Sequence, residues 1–328
     1  MGTTEFDLGR PRIRVVGCGG AGTNSVHRLA SAGIRGVRTV AVNTDRDHLG
    51  RTTCDQRVLL GDGAVRGTGG RPEIGARLAQ MHEKDVRAAA AGGDLTFVIA
   101  GLGGGTGTGL APLVANWARL SGSIVVGLAT MPFHAEAHRL EAARRGLDAF
   151  RMSCNSLVIL ENDRLLARVP DLPVEQAFAV MDHMVGEVIR GLTDAVNEKC
   201  LIQLDLPDLK EILAEGGVST ILFGEGDVNS PDTVVASALK NSLLEADLRA
   251  ATGAIIHLTA GTGVPLRAVD SVVEGLRKSI HRDARIVFGV RTDPEFDGAL
   301  RVMAILTGVH SRFLVASERA DTGVPMVR

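Results

Sequence analysis

Lysine is scarce in this chain: there are five, Lys84, Lys199, Lys210, Lys240 and Lys278, and none of them follows a glycine. Without a glycine-preceded lysine there is no Walker loop, which excludes a P-loop nucleotide hydrolase. Cysteine is scarce too. Cys18, Cys54, Cys154 and Cys200 are scattered, with no Cys-x-x-Cys pair and no metal-ligand spacing, so no disulfide framework is implied and a reducing cytosol is the expected setting. The first eleven residues are polar, and no apolar run reaches the length of about 18 residues that a membrane span needs. A signal peptide and direct membrane insertion are therefore not expected. The formal net charge is −2, which leaves no electrostatic footprint for nucleic acid. Arginine far outnumbers lysine, which reads as genome composition rather than function. With 328 residues and 45% hydrophobic content, the chain is long enough for two domains with substantial cores.

Glycine is what the chain has in excess, and it is concentrated. Gly103, Gly104, Gly105, Thr106, Gly107, Thr108 and Gly109 follow the apolar run Leu95 to Ala100 and precede the helix-like Leu110 to Ala115. Glycines there let the backbone approach an anion closely, the two hydroxyls offer further donors, and a helix N-terminus adds unpaired N–H groups. A plain strand-to-helix turn is the alternative, but it has no use for so many glycines. A second loop, Gly17-Cys18-Gly19-Gly20-Ala21-Gly22, lies between the strand-like Arg12 to Val16 and the helix-like Thr23 to Leu29. With Asp45 at the end of the next strand it also matches the dinucleotide fingerprint Gly-x-Gly-x-x-Gly, so a Rossmann oxidoreductase is a rival reading. That fingerprint does not call for a second, richer glycine loop after a later strand. Two loops at one sheet edge suit a polyphosphate gripped from both sides.

Strand-like runs near 12–16, 38–43, 95–100, 123–129 and 156–161 alternate with helix-like stretches, as a parallel sheet with crossover helices requires. From Val174 to Val196, Ala177, Phe178, Met181, Met184, Val185, Val188, Ile189 and Leu192 recur at helical spacing, which predicts one long connecting helix. Beyond Asp208 a short helix, a strand at 218–224, a helix at 232–245, a strand at 253–259, a helix at 265–280 and strands at 285–291 and 300–307 predict a separate, smaller α+β domain. The expected divisions are a flexible start (1–11), a nucleotide-binding domain (12–172), a central helix (173–199), an acidic loop with the second domain (200–311) and a flexible tail (312–328).

The segments Gly17 to Asn24, Asn43-Thr44-Asp45, Gly103 to Gly109, Asn162 to Leu165 and Ile202 to Asp208 resemble those of FtsZ, the prokaryotic tubulin relative, in the same order. Ala251 to His257 and Leu306 to Val309 resemble it too, and the pattern leans towards the archaeal branch. The resemblance runs from about residue 12 to 312. It implies an α/β GTPase that binds GTP and GDP, with Mg²⁺ as companion ion, and that polymerises head to tail in the cytoplasm at the division site, reaching membrane through an adaptor protein. It implies phosphate contacts from Gly19, Gly20 and Gly103 to Gly109, base contacts from Asn24, Asn162, Phe178 and Asp182, and nucleotide contacts from Ala21 and Asp45.

The base site also has a chemical rationale. Guanine presents N1–H and an amino group side by side, so one carboxylate accepts from both, whereas adenine offers an acceptor at N1. Asp182 is one helical turn from Phe178, so the ring can stack on the base while the carboxylate reads its edge. The pattern alone favours a core aromatic and a solvated charge; the resemblance favours the site. Such pairing discriminates by about 10⁴-fold, because the wrong base leaves polar groups unpaired.

His134 and His138, four apart with Glu136 between, could ligate zinc on a helix, but no third ligand cluster accompanies them and no metal site is expected. The resemblance implies instead that Glu136 contacts the ribose and Arg139 the phosphate end. The chain departs from the family here, being one residue shorter before Gly146 and carrying Ala137 where the family has Gly. A helix over 174–196 spans about 33 Å, so Asp205 and Asp208 at its far end cannot easily reach the nucleotide of their own subunit, and the resemblance implies that they act on that of a neighbour. The bland alternative is that Asp208 merely starts a helix. Gln203 stands where the family has Asn, and its extra methylene keeps a slow or non-hydrolysing structural paralogue in play.

Overall fold

The structure, a computed structural model, describes residues 10–62, 67–164, 170–197, 200–214, 217–311 and 313. Residues 1–9 and nearly all of the expected tail lie outside the described residues.

Six parallel strands form one half of the sheet: β1 (Ile13–Cys18), β2 (Val37–Asn43), β3 (Gln56–Leu59), β4 (Leu95–Gly101), β5 (Ile124–Met131) and β6 (Ser156–Glu161). Their spatial order is β3-β2-β1-β4-β5-β6. From β1 the chain first builds outwards through β2 and β3, then returns to place β4 on the other side of β1. The strand order therefore reverses between β1 and β4, and the two glycine loops leave the sheet at that point. In open α/β sheets the crevice at such a switch is where ligands bind.

The crossover helices are α1 (Gly19–Ser31), α2 (Arg46–Arg51), α3 (Pro72–Met81), α4 (Glu83–Ala90), α5 (Gly105–Leu120) and α6 (Ala137–Ser153). The long helix α7 (Val174–Asn197) follows, then α8 (Leu206–Ala214), β7 (Val218–Asp227), α9 (Pro231–Lys240), β8 (Ala246–Asp247), β9 (Gly253–Ala260), α10 (Leu266–Arg277), β10 (Arg285–Thr292), β11 (Ala299–Thr307) and β12 (His310–Ser311). The expected second α+β unit is present, yet its strands are continuous with the first sheet. β7 joins β6 in parallel through Leu157 opposite Val218 and Val158 opposite Ser219, giving ten strands in one sheet. Beyond β7 the pairing is mixed: β11 runs antiparallel to β7 and β9, and β10 parallel to β9.

Buried strands alternate their side chains between the two faces. Ile13, Val15, Leu95, Phe97 and Ile99 face α1 and α7, whereas Val16, Cys18, Val98 and Ala100 face α3, α4, α5 and α6. The period-3.6 stripe of α7 (Met181, Val185, Val188, Ile189, Leu192) crosses both halves and packs on Ile221, Ile255 and Ile305 as well as on the first half. The expected helix over 232–245 stops at Lys240. Ser242 bonds Thr220 and the carbonyl of Leu244, and the Glu161 N–H donates to the Leu243 carbonyl at 3.1 Å, so the chain is drawn back against the sheet.

Candidate functional site

A cleft of about 1530 Å³ opens at the switch point, between the start of α1, the Leu102–Gly104 loop with the first turn of α5, and the N-terminal half of α7. Its floor is made by two helix N-termini. α1 begins at Gly19 directly after β1, and α5 begins at Gly105 one short loop after β4; neither has a capping side chain or an acidic residue in its first turn. Helix α2, by contrast, is capped by Asp45, whose carboxylate accepts from the His48 N–H at 2.9 Å. Uncapped first-turn N–H groups from two helices converge on one spot, a donor set and dipole arrangement suited to an anion.

The glycines divide into two kinds. A Cβ at Gly105 would stand 1.9 Å from Thr68 Oγ1, one at Gly109 2.0 Å from the Pro72 carbonyl oxygen, and one at Gly107 2.8 Å from the Gly101 carbonyl oxygen. These three are glycine because α5 packs against other backbone. Gly19, at φ +70°, lies against Gly107, so the two loops touch each other. Gly103 takes φ +90°, in the left-handed region. At Gly104 an added Cβ would meet no atom within 4 Å, and this is where the loop faces the cleft. The hydroxyls also divide. Thr108 is buried and accepts from the Gly103 N–H at 2.9 Å, fixing the loop, while Thr106 lines the cleft and shares a 2.8 Å bond with Thr44.

At the other end of the cleft Phe178 remains 40% exposed within an otherwise buried stripe, tilted against Phe133 at a centroid distance of 5.8 Å. Asp182 lies one turn on, half-buried against α1, where it accepts from Ser25 Oγ and from Arg28 Nε at 2.8 Å. Burial pushes its carboxyl above the usual range, and the Ser25 and Arg28 contacts oppose that rise. Asn162 lines the same wall, and its Oδ1 is buried without a partner. A buried acceptor of this kind on the wall of a cleft can be met by a donor on a ligand or by water. Glu136 accepts from the Phe133 N–H and from Arg139 at 2.6 Å, so these two expected contacts hold one another.

The structure thus brings Gly20, Ala21, Asn24, Gly103 to Gly107, Glu136, Arg139, Asn162, Phe178 and Asp182 to one cleft. Gly19, Asp45, Thr108 and Gly109 are not among the residues that line it. Gln203 and Asp205 are exposed and Asp208 is half-buried in the first turn of α8. Their loop is tied to the far end of α7, where the Leu204 N–H donates to the Ala195 carbonyl at 3.3 Å. Ala195 is about 20 Å along the helix axis from Asp182. His134 and His138 do not share a helical face: His134 is in a 3₁₀ turn with its ring on Asp163, and His138 is in α6. Among the described residues no group of three or more His, Cys, Asp or Glu could hold a metal ion.

Sequence reasoning missed Thr44, Ser25 and Arg28. Ser25 and Arg28 are three apart on α1, a spacing that puts both on one helix face, but nothing in the sequence says that this face meets α7.

Comparison with known proteins agrees with this architecture. Residues 12–170 match the family model described as Tubulin/FtsZ family, GTPase domain, and residues 217–310 match the FtsZ family, C-terminal domain. The cell division protein FtsZ 2 of Methanocaldococcus jannaschii is 41% identical over 96% of this chain and 86% of its own length. That of Halobacterium salinarum is 40% identical over 93% of this chain and 78% of its own. A solved M. jannaschii FtsZ structure, described as an empty dimer, superposes with a TM-score of 0.85 at 35% identity, covering 92% of this chain and 89% of that one.

Proposed function

The chain belongs to the tubulin/FtsZ family, and we propose that it is a filament-forming GTPase of cell division whose guanine nucleotide occupies the cleft at the switch point. The observation that carries this reading is the convergence of two uncapped helix N-termini at one end of a cleft whose other end holds Asp182 and the unpartnered Asn162 Oδ1. The N-termini suit the phosphates, with Gly104 and Gly20 giving the closest backbone approach. Phe178 would stack on the base. Asp182 would accept from N1–H and the amino group of guanine, and Asn162 Oδ1 would take a further donor. Hard oxygen donors, the Thr44 and Thr106 hydroxyls, adjoin the phosphate end and suit a Mg²⁺ ion that keeps most of its waters. When bound, that ion would neutralise charge on the phosphates.

Hydrolysis needs a water oriented and polarised beside the terminal phosphate, and the cleft itself offers mainly backbone donors and hydroxyls. The acids Asp205 and Asp208 sit at the opposite end of α7. We place them in the site of the next subunit: stacking copies head to tail brings the acidic loop of one over the cleft of another, and a heterologous contact of this kind extends into a filament. Asp208 would polarise the attacking water, with Gln203 and Asp205 orienting it. The setting is the cytoplasm at the division site. No helix among the described residues is long and apolar enough to cross a membrane, so attachment there would fall to an adaptor. Calorimetry with GTP and ATP on the full chain tests the assignment: GTP is expected to bind at least about 10⁴-fold more tightly, and equal affinities would overturn it.

A further inference from the structure

We propose that His48 is a positioning residue of the nucleotide site, acting through Asn24; this deepens, and rests on, the reading of the cleft as a guanine nucleotide site. His48 is held in place by its own backbone. Its N–H donates to the Asp45 carboxylate at 2.9 Å, and its carbonyl accepts from the Thr52 hydroxyl at 3.0 Å. From α2 the imidazole reaches across to the first turns of α1. Nε2 lies 2.7 Å from Asn24 Oδ1 and 3.4 Å from Thr23 Oγ1, and the ring edge passes 3.7 Å from where a Cβ on Gly20 would stand.

An amide oxygen can only accept, so the ring donates Nε2–H to it. That bond fixes which way the Asn24 amide turns. With Oδ1 engaged by His48, the NH₂ group is the part left to the cleft, and among the described residues no other group accepts from it. Asn24 therefore presents a donor pair, not an acceptor, to the bound nucleotide. A free asparagine flips between the two presentations; one held by His48 selects a ligand acceptor, whether a ribose oxygen, a purine ring nitrogen or a phosphate oxygen, and rejects a ligand donor at that point.

The test is GTP affinity by calorimetry on the full chain, in a double-mutant cycle. His48→Ala is expected to weaken GTP about fivefold, in keeping with the loss of one ordinary hydrogen bond. His48→Gln, which keeps an N–H donor on a reach similar to the imidazole's, is expected to restore most of that loss. In an Asn24→Ala background His48→Ala should have no further effect, because the two residues act as one. Asn24→Asp still accepts from His48 but turns an acceptor to the cleft, and it should bind GTP no better than Asn24→Ala. Additive losses in the cycle, an undiminished affinity in His48→Ala, or an Asn24→Asp protein that binds GTP like its parent would each overturn the proposal. Absence of GTP binding by the unmodified chain would instead overturn the nucleotide reading and this inference with it.

Discussion

Mild acid should destabilise this protein through one histidine. His257 lies on β9, on the face covered by α7, and is 5% exposed. Its Nδ1 is buried without a partner, and the Nε of the nearby Arg291 is buried without one as well. Arg291 pairs with Asp293 at 3.0 Å and approaches Asp194 at 3.7 Å, so its charge is only partly answered. Burial first, and then the Arg291 charge, lower the His257 pKa from 6.5 to about 4. In the unfolded chain the ring binds its proton near the ordinary value, so between the two the unfolded state holds more protons and stability falls as pH falls. A shift of that size corresponds to about 3 kcal/mol when the proton is fully bound, and to about 2 kcal/mol at a pH of about 5. Urea unfolding at neutral pH and near pH 5 reads this directly, and carboxylate contributions cancel when the parent is compared with His257→Asn. The variant should lose about 2 kcal/mol less than its parent over that interval. Equal losses in the two proteins would refute the reasoning.

Four further outcomes are expected. Gly104→Ala should fold normally yet bind GTP weakly, whereas Gly105→Ala should lower the unfolding midpoint, because its Cβ would strike Thr68 and Arg71; similar unfolding midpoints would contradict this division of the glycines. Asp182→Asn should weaken GTP binding and relax rejection of ATP, as read by calorimetry. Because burial raises the Asp182 carboxyl and Arg28 opposes that rise, GTP binding should fail on acidification and fail at a higher pH in Arg28→Ala; an unmoved acid limb would remove Arg28 from this role. Asp208→Ala should bind GTP and pellet with it, yet release phosphate about 10²-fold more slowly or worse, while Gln203→Asn should speed release.

Strands β1, β2, β4, β5 and β6 and helix α7 were legible because each carries a hydrophobic run or stripe long enough to declare its period. Strand β3 and helices α2 to α4 are short, so they registered only as connections. Phe178 was ambiguous for a physical reason: it continues the apolar period of α7, and only the structure reveals that α1 and the sheet cover Met181 and Val185 but leave Phe178 at the cleft. The glycine loop was found from sequence, but the reason for each glycine was not. Close approach to a ligand and close approach to Thr68, Arg71 or Pro72 demand the same residue, and the latter contacts are set by how α5 packs on the turn before α3. Thr108 likewise reads as a donor to an anion, and the structure adds that its buried hydroxyl accepts from the Gly103 N–H. The link from Arg28 to Asp182 spans 154 residues and depends on α1 meeting α7, which no local pattern encodes.

The most direct test of a GTPase completed between subunits is phosphate release per subunit as a function of protein concentration, with GTP present and polymer pelleted from the same samples. The account predicts little release at concentrations where nothing pellets, a steep rise once polymer forms, and inhibition in proportion to its share when Asp208→Ala is mixed in. A specific activity that stays flat with concentration, or a mixture in which Asp208→Ala leaves the parent's turnover untouched, would contradict it.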